Sequence, residues 1–194
     1  MARTGRVSRE QSEINRNSII TTSSQLFRER GLDGVSVKDI MSAAGLTHGG
    51  FYGHFSSKDA LEAVACEQAF EESRSALAES GISSFPQLVE YYLSPRHRDA
   101  PASGCAVAAL ATDVQRKGED KPVHEAYISG VKKMAESIKN MQDGVPAPDI
   151  NDRHLVQFAL MTGALMLARA TSGDDISERF LTAAKKALLE SDCV

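Results

Sequence analysis

Apolar residues return along this chain every three or four positions, the period of a helix, and runs that alternate every second position between hairpin turns are absent. Ile19, Ile20, Leu26 and Phe27 lie on one such stripe, which Gly31 closes as a C-terminal glycine. Ser36 and Asp39 then form an S-x-x-D start signal, Val37, Ile40 and Ala44 mark a buried face, and Gly45 ends a short second helix. Thr47 is placed to cap a third, and Ser56 with Asp59 repeats the start signal for a fourth that runs to about Glu79. Beyond it the pattern predicts a short helix over Phe85 to Leu93 ended by Pro95, and a loop over Ser94 to Ser103. Longer helices follow over Gly104 to Lys117, Val123 to Met141, Arg153 to Thr171 and Ile176 to Glu190. Gly144, Pro146 and Pro148 make Asp143 to Asp149 a mobile loop. No internal repeat is visible, so the fold class is all-α. It divides into residues 1–56, an arm with three short helices, and residues 57–194, a larger helical domain.

Composition changes this picture in three ways. With 42% hydrophobic residues over 194 positions, the chain can bury a real core. Three cysteines far apart, Cys66, Cys105 and Cys193, make no disulfide framework and suit a reducing compartment. Charged and amide residues interrupt every apolar run before Ile20, unlike a secretory leader, and Leu155 to Ala168 is too short to span a bilayer, so a cytoplasmic protein is expected. The net charge of −4 is uneven, about +2 over residues 1–60 and about −6 over the rest. A basic head on an acidic body is compatible with nucleic acid, because phosphate attraction acts within a Debye length.

A helix-turn-helix requires a scaffold helix, a tight turn at which glycine accepts left-handed angles, and a second helix whose first side chains reach base edges. Val37 to Leu46 with Gly45 at the turn, then Thr47 to Phe55, supply these parts in order. The run S-V-K-D-I-M-S-A-A-G-L-T-H-G-G-F-Y-G-H-F-S-S-K-D-A-L, Ser36 to Leu61, resembles the DNA-binding signature of the TetR family of helix-turn-helix repressors. The resemblance implies an N-terminal three-helix DNA-binding domain and a C-terminal helical domain for ligand binding and dimerisation. It places Thr47, His48 and Gly49 at the start of a recognition helix, Tyr52 and His54 in its Y-x-H-F ending, and Lys58 at the opening of the fourth helix. Ser36 and Lys38 complete the DNA-facing set. Thr47 and His48 are positioned for the major groove, and Tyr52, His54 and Lys58 suit phosphate. Phe51 and Phe55 belong to the core. Gly50 and Gly53 stand where the family often has larger polar residues, and each costs a helix about 1 kcal/mol. Arg3, Arg6, Arg9 and Arg16 form either a solubilising arm or one that touches DNA.

In the resembled family the last two long helices pair with their symmetry mates. Here the first of them carries Leu155, Phe158, Ala159, Thr162, Gly163, Leu165 and Met166, more apolar surface than one small domain needs. Ala159 and Gly163 permit close approach of another helix; the alternative is a core helix within one subunit. Tyr91, Tyr92, Cys105, Tyr127, Met134 and Met141 are candidates to line a ligand pocket, and equally candidates for core. Cys105, after Arg96, His97 and Arg98 and at a helix start, reads as a reactive thiol or as a small buried hydrophobe. Ser129 to Lys132 matches S-x-x-K without its companion motifs, the glycines near Gly49 follow no strand, and His97, His124 and His154 stand alone. No catalytic set, metal or cofactor is therefore expected. The function implied is a homodimeric transcriptional repressor released from double-stranded operator DNA by a small-molecule effector. A constitutive architectural DNA binder and an enzyme using the helical-domain pocket are the alternatives.

Overall fold

The first helix begins where the sequence supplies a cap: the Ser8 hydroxyl accepts the Gln11 N–H at 3.1 Å and opens α1, Arg9–Arg30. In this computed structural model, which describes residues 8–143 and 149–190, helices are the only regular elements among the described residues. Arg3, Arg6, Cys193 and the middle of the loop expected around Gly144, Pro146 and Pro148 lie outside them. Eight further α-helices follow: α2 Val37–Ala43, α3 Lys58–Glu79, α4 Phe85–Tyr92, α5 Pro95–Arg98, α6 Ala106–Lys117, α7 Pro122–Asp143, α8 Asp152–Ala170 and α9 Asp175–Glu190. None is long and apolar enough to cross a membrane.

Three local expectations change. The cap of α3 is Ser57, whose hydroxyl accepts the Ala60 N–H at 3.1 Å, while Ser56 is exposed and Asp59 reaches across to Lys121. Ser94 to Ser103 is not plain loop: Pro95 and Pro101 start a one-turn helix and a 3-10 turn, because a fixed φ and a missing N–H suit a first helical position. The third helix is a 3-10 turn, His48–Gly53, and Thr47 makes no side-chain cap there. Three glycines in six residues give little helical preference, which fits a short, tight winding.

Ile19, Phe27, Leu32, Ile40, Phe51 and Leu61 bury the head formed by α1, α2, the 3-10 turn and the first turns of α3. The body packs α3 on α7 and α8 on α9. Gly130 of α7 lets the first pair close, since a Cβ there would overlap the Phe70 ring. Arg28 joins head to body. Its fully buried guanidinium pairs with Glu72 of α3 and donates to the Gly104 carbonyl at 3.2 Å.

Candidate nucleic-acid interface and regulatory cavity

Ser36 and Asp39 form the reciprocal cap at the start of α2: the Asp39 N–H donates to Ser36 Oγ at 3.2 Å and the Ser36 N–H to Asp39 Oδ2 at 3.0 Å. The Ser36 hydroxyl also donates to Asp39 Oδ2 at 2.5 Å, and this bond, with that from the Ser36 N–H, holds the Asp39 carboxyl below the usual carboxylate range. Ile40 and Met41 anchor α2 in the core, and Gly45 at φ 71° turns the chain so that the Leu46 N–H returns to the Met41 carbonyl at 2.8 Å. Phe51 is fully buried and stacks on Phe55, fixing the 3-10 turn from beneath. Thr47, His48, Gly49 and Tyr52 are thereby left exposed, Tyr52 at 69%. Ser36 and Lys38 are exposed as well, and His54 is half-buried. Arg16, from the candidate arm, lies over the Phe55 ring at 4.9 Å. A Cβ at Gly49 or Gly53 would meet no protein atom within 4 Å, so these glycines leave bare backbone on the exposed surface.

Lys58 is placed differently from the rest of the expected set. Its ammonium donates to the Leu32 carbonyl at 2.6 Å and lies 3.3 Å from Glu62 Oε1. It therefore ties α3 to the loop after α1, with its charge already engaged. Glu62 was missed by sequence reasoning. It is fully buried in α3, receives Lys117 of α6 at 3.1 Å, and leaves Oε2 without a hydrogen-bond partner. Lys117 also meets Asp33 at 2.8 Å, and Asp113 of the same helix accepts the Leu32 N–H at 2.8 Å. Burial alone would lower the Lys117 ammonium, but the bonds from Asp33 and Glu62 outweigh it and hold the pKa above the ordinary value. The legible signal was a carboxylate on the apolar face shared by Leu61, Ala65, Cys66 and Ala69.

The other end of α6 borders a cavity of about 40 Å³ lined by Tyr91, Tyr92, His97, Cys105, Leu88 and Met134 among others. Four of the six expected pocket residues meet there. Tyr127 does not; its hydroxyl donates to the Val107 carbonyl at 3.0 Å and its ring packs on Phe70. Met141 packs against the core elsewhere. His97 bridges the site, Nδ1 to the Tyr92 carbonyl at 2.7 Å and Nε2 accepting the Cys105 N–H at 3.1 Å. These two bonds select the neutral tautomer protonated on Nδ1. Burial pulls its pKa down to about 4. The loop arginines expected beside Cys105 are occupied or turned away: Arg98 pairs with Asp99 at 2.7 Å and Glu178 at 3.4 Å, and Arg96 is exposed. Of the guanidiniums nearer the site, Arg28 pairs with Glu72, and Arg169 donates to the His97 and Arg98 carbonyls. Cys105 is the N-cap residue of α6 and is buried; burial pushes the thiol of Cys66 up to about 12.

On α8, Leu155, Val156 and Leu167 are about half exposed, and Ala159, Gly163, Phe180 and Ala187 help to line an open apolar groove of about 400 Å³ between α8 and α9. Phe158 and Leu165 point into the subunit core, and the Thr162 hydroxyl is buried without a partner. Met166 borders a separate cleft with Arg98 and Arg169.

Residues 19–63 match the family model described as bacterial regulatory proteins, tetR family. Over 187 residues the chain is 24% identical to the HTH-type transcriptional repressor DhaR of Mycobacterium sp. (strain GP1), covering 91% of this chain and 93% of that protein. Over 112 residues it is 27% identical to the HTH-type transcriptional repressor NemR of Escherichia coli (strain K12), covering 54% of this chain and 56% of NemR. A crystal structure of a TetR-family transcriptional regulator from Cytophaga hutchinsonii superposes with a TM-score of 0.72 at 20% identity, over 98% of this chain and 100% of that one. The matched segment contains α2, the 3-10 turn and the start of α3, the elements that carry the exposed surface.

Proposed function

We propose that this chain, whose residues 19–63 match the tetR family of bacterial regulatory proteins, is a cytoplasmic, homodimeric transcriptional repressor that leaves its operator when a small molecule occupies the cavity beside Tyr91 and Tyr92. Its activity is sequence-specific DNA binding and transcriptional regulation. The observation that carries the reading is the exposure of Thr47, His48, Gly49 and Tyr52 within the matched segment, held by the buried, stacked Phe51 and Phe55 rings. Thr47 and His48 present donors and acceptors to base edges, and the Tyr52 hydroxyl and bare glycine backbone suit close approach to phosphate.

Release follows from differential affinity: an effector that binds better to a dimer whose heads no longer fit successive grooves shifts the population away from DNA. The path is supported by α6, which borders the cavity at Cys105 and holds the head through Asp113 and Lys117. The test is selection of genomic DNA bound by the purified protein, repeated with His48→Ala and Tyr52→Phe. The expected result is enrichment of a near-palindromic site, relaxed base preference in the first variant, and in the second a uniform loss of affinity with a shallower salt dependence. Absence of any enriched sequence overturns the reading. An enriched site whose affinity no small molecule changes makes the protein a constitutive DNA binder instead.

A further inference from the structure

We propose that the cavity beside Tyr92 takes an uncharged, mainly apolar molecule carrying one hydrogen-bond-accepting oxygen, with the Tyr92 hydroxyl as its donor. This rests on the cavity being the effector site, and it adds the chemical class of effector.

Charge is the first constraint. No acidic or basic side chain lines the inner cavity, and His97, its titratable wall, has both ring nitrogens committed to backbone groups. The N–H groups of the nearby guanidiniums are bonded to other groups. Arg28 holds Glu72 and the Gly104 carbonyl, and Arg169 donates to the carbonyls of His97 at 2.9 Å and Arg98 at 3.1 Å. A carboxylate or ammonium group at the inner end would lose its hydration without touching a charged side chain, because Glu79 and Arg96 line only the outer cleft.

The second constraint is an unfilled bond. Ser73 Oγ donates to the Ala69 carbonyl at 2.8 Å, so the buried lining hydroxyl without a well-formed hydrogen bond is Tyr92 Oη, whose polar neighbours are the Cys105 thiol and the Thr162 hydroxyl, itself unpartnered. Tyr92 is 7% exposed, and a buried hydroxyl without a partner is costly enough to demand an explanation. An oxygen acceptor brought by a ligand supplies the missing bond. A donor-only ligand would leave the phenolic hydrogen unpaired.

Shape is the third. The inner space of about 40 Å³ is close to the volume of one water, so a larger molecule must continue outward. Next to it lies a cleft of about 490 Å³ that shares Ala76, Tyr91, His97 and Ser103 with the inner cavity. The partly exposed Tyr91 ring stacks on His97 at 5.7 Å and borders both spaces. The ligand thus places its oxygen inward at Tyr92 and its hydrocarbon along Tyr91.

The test is calorimetric titration of the full-length protein with cyclohexanone, methylcyclohexane, cyclohexanecarboxylate and cyclohexylammonium, and of Tyr92→Phe with the same set. Cyclohexanone is expected to bind about tenfold more tightly than the hydrocarbon, as one buried hydrogen bond predicts, and the two ions far more weakly. Tyr92→Phe should erase the preference for the ketone and keep hydrocarbon binding, with a melting temperature no lower than that of the parent. Tight binding of either ion, retention of the ketone preference in the variant, or no binding of either neutral probe overturns the proposal. Ketone binding that depends on Tyr92 but leaves operator affinity unchanged would keep the ligand class and remove the effector role. Release by a compound indifferent to Tyr92→Phe would keep the regulatory reading and remove the ligand class.

Discussion

His97 shows what a single residue does when its chemistry is set by distant backbone. In the sequence it is one of several isolated histidines, without a ligand or catalytic partner at helical spacing. In the structure it is buried and neutral, joining the end of α4 to the start of α6 through the Tyr92 carbonyl and the Cys105 N–H. Those partners lie five residues before it and eight after it, and the turns begun by Pro95 and Pro101 bring them together, so no local periodicity announces the bridge. The consequence is a pH dependence. The folded pKa of about 4 lies below the ordinary 6.5, so between these values the unfolded chain binds a proton that the folded chain does not. Stability from this group is therefore complete above about pH 6.5 and falls as pH drops toward 4, by up to about 3 kcal/mol. Comparing urea unfolding at pH 7 and pH 4.5, the parent should lose more stability than His97→Gln. Equal losses in the two proteins would mean that His97 is not held neutral. Lys58 teaches the same lesson with the opposite sign. Its place in the family signature was readable, but its bonds to Leu32 and Glu62 required knowing where the loop after α1 passes.

At the scale of elements, many features set by neighbours within four residues were legible, including the Ser36 and Asp39 cap, the Gly31 and Gly45 stops and the extent of α3, α7, α8 and α9, whereas Arg9 and Arg16, read as part of an arm, lie in α1. The errors also have local causes. Adjacent serines at Ser56 and Ser57 offer two caps one residue apart, and prolines that end one helix also begin the next turn. The junction of α6 with the head was not legible, because Glu62 and Lys117 lie 55 residues apart. Yet that junction joins α6 to the head. Glu62 is shielded from water and leans on two ammonium groups, Lys58 and Lys117, the second of which also reaches Asp33. Removing Lys117 leaves a buried carboxylate half-compensated, which is destabilising, whereas removing both charges is much cheaper. Lys117→Met should cost about 2 kcal/mol in urea unfolding, and adding Glu62→Gln should recover about half of that loss. Additive losses in the double variant would show that the two side chains do not act as a pair.

For the whole molecule, the question is what covers α8 and α9. Leu155, Val156, Leu167 and Ile176 are each 40% or more exposed, and an open apolar groove runs between the two helices. A soluble monomer seldom leaves such a continuous surface in water, and a twofold partner presenting the same small residues would cover it. Ala159 and Gly163 were readable as a close-approach pair because they lie four apart on one helix, whereas Phe158 reads alike as interface or core until its direction is known. Gly163 offers a test that separates interface from fold. A Cβ there meets nothing within 4 Å inside the subunit, so a side chain fits the isolated chain and should even favour its helix. In a paired arrangement the same side chain enters the partner, and a glutamate would bring an unpaired charge into an apolar contact. Gly163→Glu is therefore expected to sediment as a monomer at micromolar concentration with its helical circular dichroism retained. Its two heads would no longer be joined at the spacing of successive half-sites, about 34 to 36 Å or a multiple of it, so operator affinity should fall by about a hundredfold or more. A variant that stays dimeric and binds operator normally would move the interface elsewhere on the molecule and leave the groove between α8 and α9 without a role in pairing.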